Sequence, residues 1–282
     1  VTGRLVLVGT PIGNLGDLSP RVAEILSAAD AIACEDTRRA GRLLAHLGIP
    51  APRLIVLNEH TEGTATDGLI DRVRRGEVVA VTSDAGMPGV SDPGEFLVAR
   101  AAAEGITVEV VPGPSAVLMA LVQSGLATGR FVFEGFIPRK GAARSERLAD
   151  VARERRTVVL FEAPHRLERT LTDLFELCVA DRRITLAREL TKMHEQIWRG
   201  TLAEALDHIR AVEPRGEYVL VLEGAAGPAS ASDSELRDAI DAARARGVTT
   251  RDAVEEVSTA FGAAKRRVYD LAIGPPEAAP ED

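Results

Sequence analysis

Short apolar runs alternating with helical patterns constrain this chain more than any other feature of it. In the first half, residues 5–8, 31–34, 54–57, 78–82 and 108–111 are largely β-branched or apolar, and each run gives way to a turn and then to helical periodicity. Strands joined by helical crossovers run parallel, so the alternation predicts a mainly parallel sheet covered by helices. Ser19-Pro20 starts one helix as N-cap and first-turn proline. Asp92-Pro93-Gly94-Glu95 starts another with capping-box spacing, Asp92 taking the N-cap, and Gly105 ends it.

Residues 125–130 read as a linker, after which strands resume at 131–136, 157–161, 184–188 and 218–222. A second α/β domain is expected there. The small, flexible stretch EGAAGPASAS at 223–232 precedes helical patterns at 235–246, 251–261 and 263–272. The expected organisation is therefore an N-terminal α/β domain over 1–125, a second over 126–224, a helical C-terminal appendage over 233–274 and a proline-rich, acidic, disordered tail over 275–282. No repeat of solenoid period is present.

A chain of 282 residues with 45% hydrophobic and 27% charged residues has the balance of a soluble globular protein. No run approaches the ~20 apolar residues of a membrane span, and the N-terminus enters a strand without a signal-peptide pattern, so a cytoplasmic protein is expected. Cys34 and Cys178 stand alone in apolar stretches and read as buried thiols. The five histidines lack the close Cys/His spacing of a zinc site, and no metal is expected. A net charge of -8 argues against non-specific nucleic-acid binding by the whole surface and confines any RNA site to a local patch.

Chemistry concentrates in the loops. GTPIGNLGD at 9–17 follows the first strand, where open α/β sheets bind ligands. Its glycines do not fit G-x-G-x-x-G, and no G-x-x-x-x-G-K-[ST] occurs, so neither a dinucleotide fold nor a P-loop is supported. SDAGMPGVSDPG at 83–94 lets backbone approach a ligand closely; Asp92 has a helical explanation there and Asp84 has none. VPGPSA at 111–116 turns a strand into a helix that Ser115 could cap, or Ser115 could offer its hydroxyl to a carboxylate. Three such loops at the same kind of strand end suggest one shared crevice. FEAPHR at 161–166 and ARELTKMHE at 187–195 cluster acids, bases and cations, either as a solvated loop or as part of a site. EDTRR at 35–39 reads as an acidic helix start, and in NEHTE at 58–62 His60 is a candidate base or ribose contact.

GTPIGNLGD, EDTRR, NEHTE, SDAGMPGVSDPG, VPGPSA, GFIPRK, FEAPHR and ARELTK occur in that order across residues 9–192. Together they closely resemble the small-subunit ribosomal RNA methyltransferase I family of the tetrapyrrole methylase superfamily, over nearly the whole chain. The resemblance implies two α/β domains of tetrapyrrole-methylase type, S-adenosylmethionine in the inter-domain cleft, and usually a homodimer. It implies methyl transfer to the ribose 2′-hydroxyl of a cytidine in the decoding region of 16S rRNA, within the 30S subunit. Carried over by position, the cofactor meets Pro11, Ser83, Asp84, Ala85, Gly86, Met87, Ser115 and Ala116 from the first domain, and Phe161, Ala187 and Leu190 from the second. Met87 departs from the threonine usual in the family.

Such a reaction is governed by alignment, and a ribose hydroxyl needs a proton acceptor within hydrogen-bond reach. The candidates are Glu189, Lys192 and His60, Lys192 only if burial or a cation lowers its pKa; otherwise it would hold a phosphate. RNA contact is expected from Arg139, Lys140 and Arg144, in a stretch over 139–156 with seven cations and three acids, and from Lys265, Arg266 and Arg267 of the appendage. The alternatives are a tetrapyrrole or other small-molecule methyltransferase of the same fold, which GFIPRK, ARELTK and the basic appendage oppose, and a non-catalytic RNA-binding ribosome-assembly factor.

Overall fold

The structure, a computed structural model, describes residues 3–226 and 231–274. The chain opens with β1 (Arg4–Val8), α1 (Pro20–Ala28), β2 (Ala31–Cys34), α2 (Thr37–His46), β3 (Arg53–Val56), α3 (Glu62–Arg74), β4 (Val78–Thr82), α4 (Glu95–Ala103), β5 (Val108–Val111) and α5 (Ala116–Ser124). The five strands pair in parallel in the order β3-β2-β4-β1-β5. Alternate residues of the inner strands face opposite layers. Leu5, Leu7, Val79 and Val81 meet Leu69, Ile70 and Leu97 of α3 and α4; Val6, Val8, Ile32 and Ala80 meet Val22, Leu26 and Leu44 of α1 and α2. Burial on both faces is why these strands read as unbroken apolar runs. Parallel strands also bring all their following loops to one edge.

Helix starts are set locally at α1, where Ser19 Oγ accepts from the Arg21 N–H, and at α2, where Asp36 accepts from the Arg38 N–H at 2.8 Å. The start of α4 corrects the sequence expectation. Its N-cap is Gly94, at φ 129°, with no capping side chain. The open N–H groups of Gly94 and Phe96 donate instead to Glu62 Oε1 on α3, at 2.8 and 3.1 Å. A carboxylate supplied by a neighbouring helix does the capping, and Asp92 is free for another use.

The chain continues through β6 (Phe131–Phe136), α6 (Ala142–Arg153), β7 (Thr157–Glu162), α7 (Pro164–Leu177), β8 (Arg183–Arg188), β9 (Gln196–Thr201), α8 (Leu202–Ala211) and β10 (Tyr218–Leu222). This second sheet is mixed, in the order β6-β7-β10-β8-β9, with β6 and β7 parallel and the other pairs antiparallel. Strand β9 was not foreseen, because an edge strand with only Ile197 and Trp198 as large apolar residues leaves no apolar run to read. One face of the sheet packs Leu160, Leu186 and Leu220 against Leu148, Leu171 and Leu206 of α6, α7 and α8. The other face puts Val159, Ala187 and Val219 against Val117, Ala120 and Leu121 of α5. Helix α5 thus follows the first sheet in sequence yet packs on the second, bringing the loop edge of the first sheet to the second sheet's face. Gly125, left-handed at φ 74°, ends it.

The helices α9 (Asp233–Ala245), α10 (Thr250–Phe261) and α11 (Lys265–Ile273) belong to a separate compact unit with its own core of Leu236, Ile240, Val254, Val257 and Val268. Ser232 and Glu235 form a capping box at the start of α9. The tail expected to be disordered, 275–282, and part of the flexible stretch at 223–232 lie outside the described residues. Among the described residues no helix is long and apolar enough to cross a membrane.

Candidate active site

Three loops of the first sheet meet as the sequence suggested. Thr10 and Gly86 exchange backbone hydrogen bonds, Thr10 N–H to Gly86 O at 2.8 Å and Gly86 N–H to Thr10 O at 3.1 Å. A Cβ on Gly9 would lie 2.6 Å from Gly113, so glycine lets the loops after β1 and β5 touch. A Cβ on Gly13 would lie 2.4 Å from Lys192 Cγ and 2.8 Å from Thr191 Oγ1, which puts the β1 loop against the loop after β8.

Where these loops face the second sheet there is a cavity of about 280 Å³. Its walls are largely apolar, with Ile12, Ala116, Phe136, Phe161, Ala187 and Leu190, and its polar groups include Ser91, Asp92 and Lys192. Phe161 is braced by Phe133, with ring centroids 4.9 Å apart. Among the described residues only Ser91, Glu189 and Thr191 are non-glycine with positive φ, at 60°, 51° and 65°. Ser91 lines the cavity and the other two flank its lining residue Leu190. Such conformations cost about 1–3 kcal/mol each and concentrate at functional sites. Thr191 Oγ1 is buried without a hydrogen-bond partner. An apolar slot with a few polar groups, and an unsatisfied hydroxyl beside it, has the make-up of a site for a nucleoside-sized ligand.

The residues carried over as cofactor contacts are distributed around this place. Ala85, Ala116, Phe161, Ala187 and Leu190 line the cavity, while Pro11, Ser83 and Asp84 line a neighbouring one of about 270 Å³ beside Arg39 and Arg42. The other three line neither. Gly86 bridges to Thr10, the Met87 sulfur lies over Gly9, and Ser115 Oγ accepts from the Leu118 N–H at 3.4 Å as the cap of α5. The Asp84 carboxylate pairs with Arg39 at 3.4 Å, and its backbone N–H donates to Glu35 Oε1 at 2.8 Å.

The expected bases fare differently. Lys192 Nζ donates to Glu189 Oε1 and Glu217 Oε2, both at 2.9 Å. Burial pulls its pKa down, but the two carboxylates outweigh that and hold it above the usual lysine range. Two carboxylates holding its proton argue against Lys192 as the base. Burial pushes the Glu189 carboxyl up, yet hydrogen bonds from Lys192 and the Glu217 N–H hold it below its ordinary value. Glu189 is a weak acceptor already engaged. His60 is exposed in the loop after the edge strand β3, its backbone N–H bound to Asn58 Oδ1 at 3.0 Å, and it lines neither cavity.

The acid that sequence reasoning assigned to a helix cap, Asp92, lines the cavity together with Glu162 and Glu217. Burial, then the charges of Glu35 and Asp84, push the Asp92 carboxyl up to about 7, against a hydrogen bond from the Ser83 hydroxyl that lowers it. Burial likewise raises Glu35, and it pushes the buried Cys34 thiol up to about 11.

The basic stretch also needs correction. Arg144 is only 4% exposed, with Nε on Asp173 at 2.9 Å and further donors on Thr170 Oγ1 and the Pro138 carbonyl, so it ties α6 to α7 and has little surface to offer RNA. Arg147, Arg153 and Arg156 pair with Glu134, Asp150 and Glu154. Arg139 and Lys140 are exposed, and among the described residues no carboxylate pairs with them. A cavity of about 270 Å³ is lined by Arg139, Arg144, His165, Arg166 and Arg169, the last three on α7 and not among the expected RNA contacts. In the helical unit Lys265 pairs with Glu255 and Arg267 with Asp233, leaving Arg266 exposed.

The family model described as Tetrapyrrole (Corrin/Porphyrin) Methylases matches residues 4–206, both sheets almost entirely. Ribosomal RNA small subunit methyltransferase I of Synechocystis sp. is 45% identical over 96% of this chain and 98% of its own length. The chain belongs to the ribosomal RNA small subunit methyltransferase I family. The member from Thermotoga maritima is 43% identical over 79% of this chain and 99% of its own, so about a fifth of this chain has no counterpart there. Uroporphyrin-III C-methyl transferase from Thermus thermophilus, solved with S-adenyl homocysteine, shares the fold, with a TM-score of 0.56 over 78% of this chain and 97% of its own at 22% identity. The family and the α/β fold expected from the sequence motifs are thus both found.

Proposed function

We propose that this chain transfers a methyl group from S-adenosylmethionine to the ribose 2′-hydroxyl of a cytidine in the decoding region of 16S rRNA, within the 30S subunit. The observation that carries this reading is identity of 45% along nearly the full length of a small-subunit rRNA methyltransferase, against 22% to a tetrapyrrole enzyme of the same fold. The cavity between the sheets is the proposed cofactor site. Bound there, S-adenosylmethionine would supply an electrophilic methyl group on a positively charged sulfur.

The chain's own residues would supply binding and alignment. Phe161, Leu190 and Ala116 offer apolar surface, the backbone at 84–86 lies close at hand, and Thr191 Oγ1 is an unsatisfied polar atom beside the slot. Lys192, fixed as a cation, would hold a phosphate at the mouth. Arg139, Lys140 and Arg169 would bind the RNA backbone. The homodimer expected of the family belongs to this proposal, with Leu118 and Val122, 52% and 69% exposed one turn apart on α5, as the face for a second copy.

The test is transfer of labelled methyl groups to 30S subunits lacking the modification, followed by mapping of the labelled nucleotide. Label on the ribose of a decoding-region cytidine is expected. Label on a base or a protein, or none at all, would refute the reading.

A further inference from the structure

We propose that Asp92 is the general base of the reaction, the group that takes the proton of the attacking ribose hydroxyl. The inference rests on the ribose-methylation reading of the same cavity. Its first support is position. Asp92 belongs to the loop between β4 and α4 and lines the slot together with Phe161 and Leu190. The second is that this carboxyl has no structural duty at the helix it precedes, because Glu62 caps α4 from the neighbouring helix.

The third support is how firmly the loop is held. Ser91, immediately before Asp92, takes a left-handed conformation, and the Gly89 N–H donates to the Pro93 carbonyl at 3.1 Å across the turn. A Cβ on Gly135 of β6 would stand 3.0 Å from Ser91 Oγ, where the pairing of β6 with β7 slips register. The second sheet thus closes against the loop, and a base must be fixed in this way if it is to meet a hydroxyl in one orientation.

The groups around Asp92 suit the role. From the first sheet, Glu35 and Asp84 face it with negative charge and Ser83 with a hydroxyl, while Arg39 is engaged with Asp84. From the second sheet, Glu162 is tied to Arg166 at 3.1 Å, and Lys192 is divided between Glu189 and Glu217. Among the described residues no cation is paired with Asp92, so burial and its acidic neighbours set its affinity for a proton, which places half-ionisation at about pH 7. A base in that range is both ionised at working pH and strong enough to accept. In the transfer, the ribose oxygen bonds to the methyl carbon as the carbon–sulfur bond breaks and its electron pair stays on sulfur. The hydroxyl proton passes to the Asp92 carboxylate and from there to solvent.

Single-turnover methylation of 30S subunits under saturating S-adenosylmethionine tests this in the full-length protein. The parent rate should climb with pH to a plateau above about 7. Asp92→Asn should lower that rate by about 100-fold or more and flatten the climb, while affinity for S-adenosylhomocysteine, read by calorimetry, is kept. Glu35→Gln, which retains the acceptor for the Asp84 N–H but removes the charge, should move the midpoint of the climb to lower pH. A ¹³C titration of aspartate carboxyls, assigned with Asp92→Asn, reads the same group without turnover. An Asp92→Asn enzyme as fast as the parent, a loss of rate matched by a loss of S-adenosylhomocysteine affinity, or an unmoved midpoint in Glu35→Gln would overturn the proposal. Parent enzyme that labels a base or protein defeats the underlying reading instead, whatever Asp92→Asn does.

Discussion

Glu62 and Asp92 have exchanged the jobs that their local sequence assigns them, and each exchange has a thermodynamic consequence. Glu62 Oε1 satisfies N–H groups that open α4 would otherwise leave bare in a partly buried position. Glu62→Ala should lower stability by about 1–3 kcal/mol in urea denaturation, the range for losing charged hydrogen bonds, and Glu62→Gln should lose less. Asp92 works in the opposite sense. Its folded pKa, about 7, lies above that of an unfolded aspartate, so the folded state holds the extra proton. The stability linked to that proton is complete in acid, below the unfolded pKa, and is lost as pH rises towards 7. A neutral side chain escapes the loss: relative to the parent, Asp92→Asn should gain stability between pH 5 and about 8, seen as a melting temperature that holds up better in base. Equal pH dependence of the two proteins would show that Asp92 carries no such penalty.

At the scale of elements, the site is a meeting of turns, and Gly13 is one place where turns of the two sheets touch. A side chain there would strike Lys192 Cγ and Thr191 Oγ1. Gly13→Val should force the β1 and β8 loops apart and weaken S-adenosylhomocysteine binding by about tenfold or more, with the far-ultraviolet circular dichroism unchanged. Retained affinity would mean that the loops yield without disturbing the slot. Elements buried on both faces, such as Ala31–Cys34, were legible because every residue must be apolar. The glycine loops were legible because close backbone approach leaves few alternatives to glycine. What stayed hidden depends on partners far along the chain. Asp92 matches a local capping pattern that Glu62, on the neighbouring helix, makes unnecessary. Arg144 is indistinguishable from its exposed neighbours until Asp173 and Thr170 of the next helix close over it. Lys192 takes its charge state partly from Glu217, on the far side of α8.

For the whole molecule, charge is distributed against its overall sign. Although the net charge is -8, the cavity edged by Arg139, His165, Arg166 and Arg169 is a local basic site. Among the described residues neither of its exposed arginines, Arg139 and Arg169, has a carboxylate partner, so Arg139→Glu with Arg169→Glu should weaken binding to 30S subunits and reduce the slope of log affinity against log salt by about two. An unchanged slope would remove the site from the RNA path. The helical unit has the reverse balance, with eleven acids and seven cations from residue 226 onward, and two members of its basic triplet are spent on Glu255 and Asp233. It also has a core of its own, and the Thermotoga maritima relative is almost fully matched by about four-fifths of this chain. A chain ended at Ala226 keeps both sheets, the cavity and the hydrogen bond from the Ala225 N–H to the Glu154 carbonyl. It should therefore bind S-adenosylhomocysteine as tightly as the full chain and bind 30S subunits with the same salt slope. Loss of cofactor-site binding on truncation would show that the sheets need the helical unit to hold the slot in shape; loss of only the 30S affinity would put an RNA contact on the exposed Arg266.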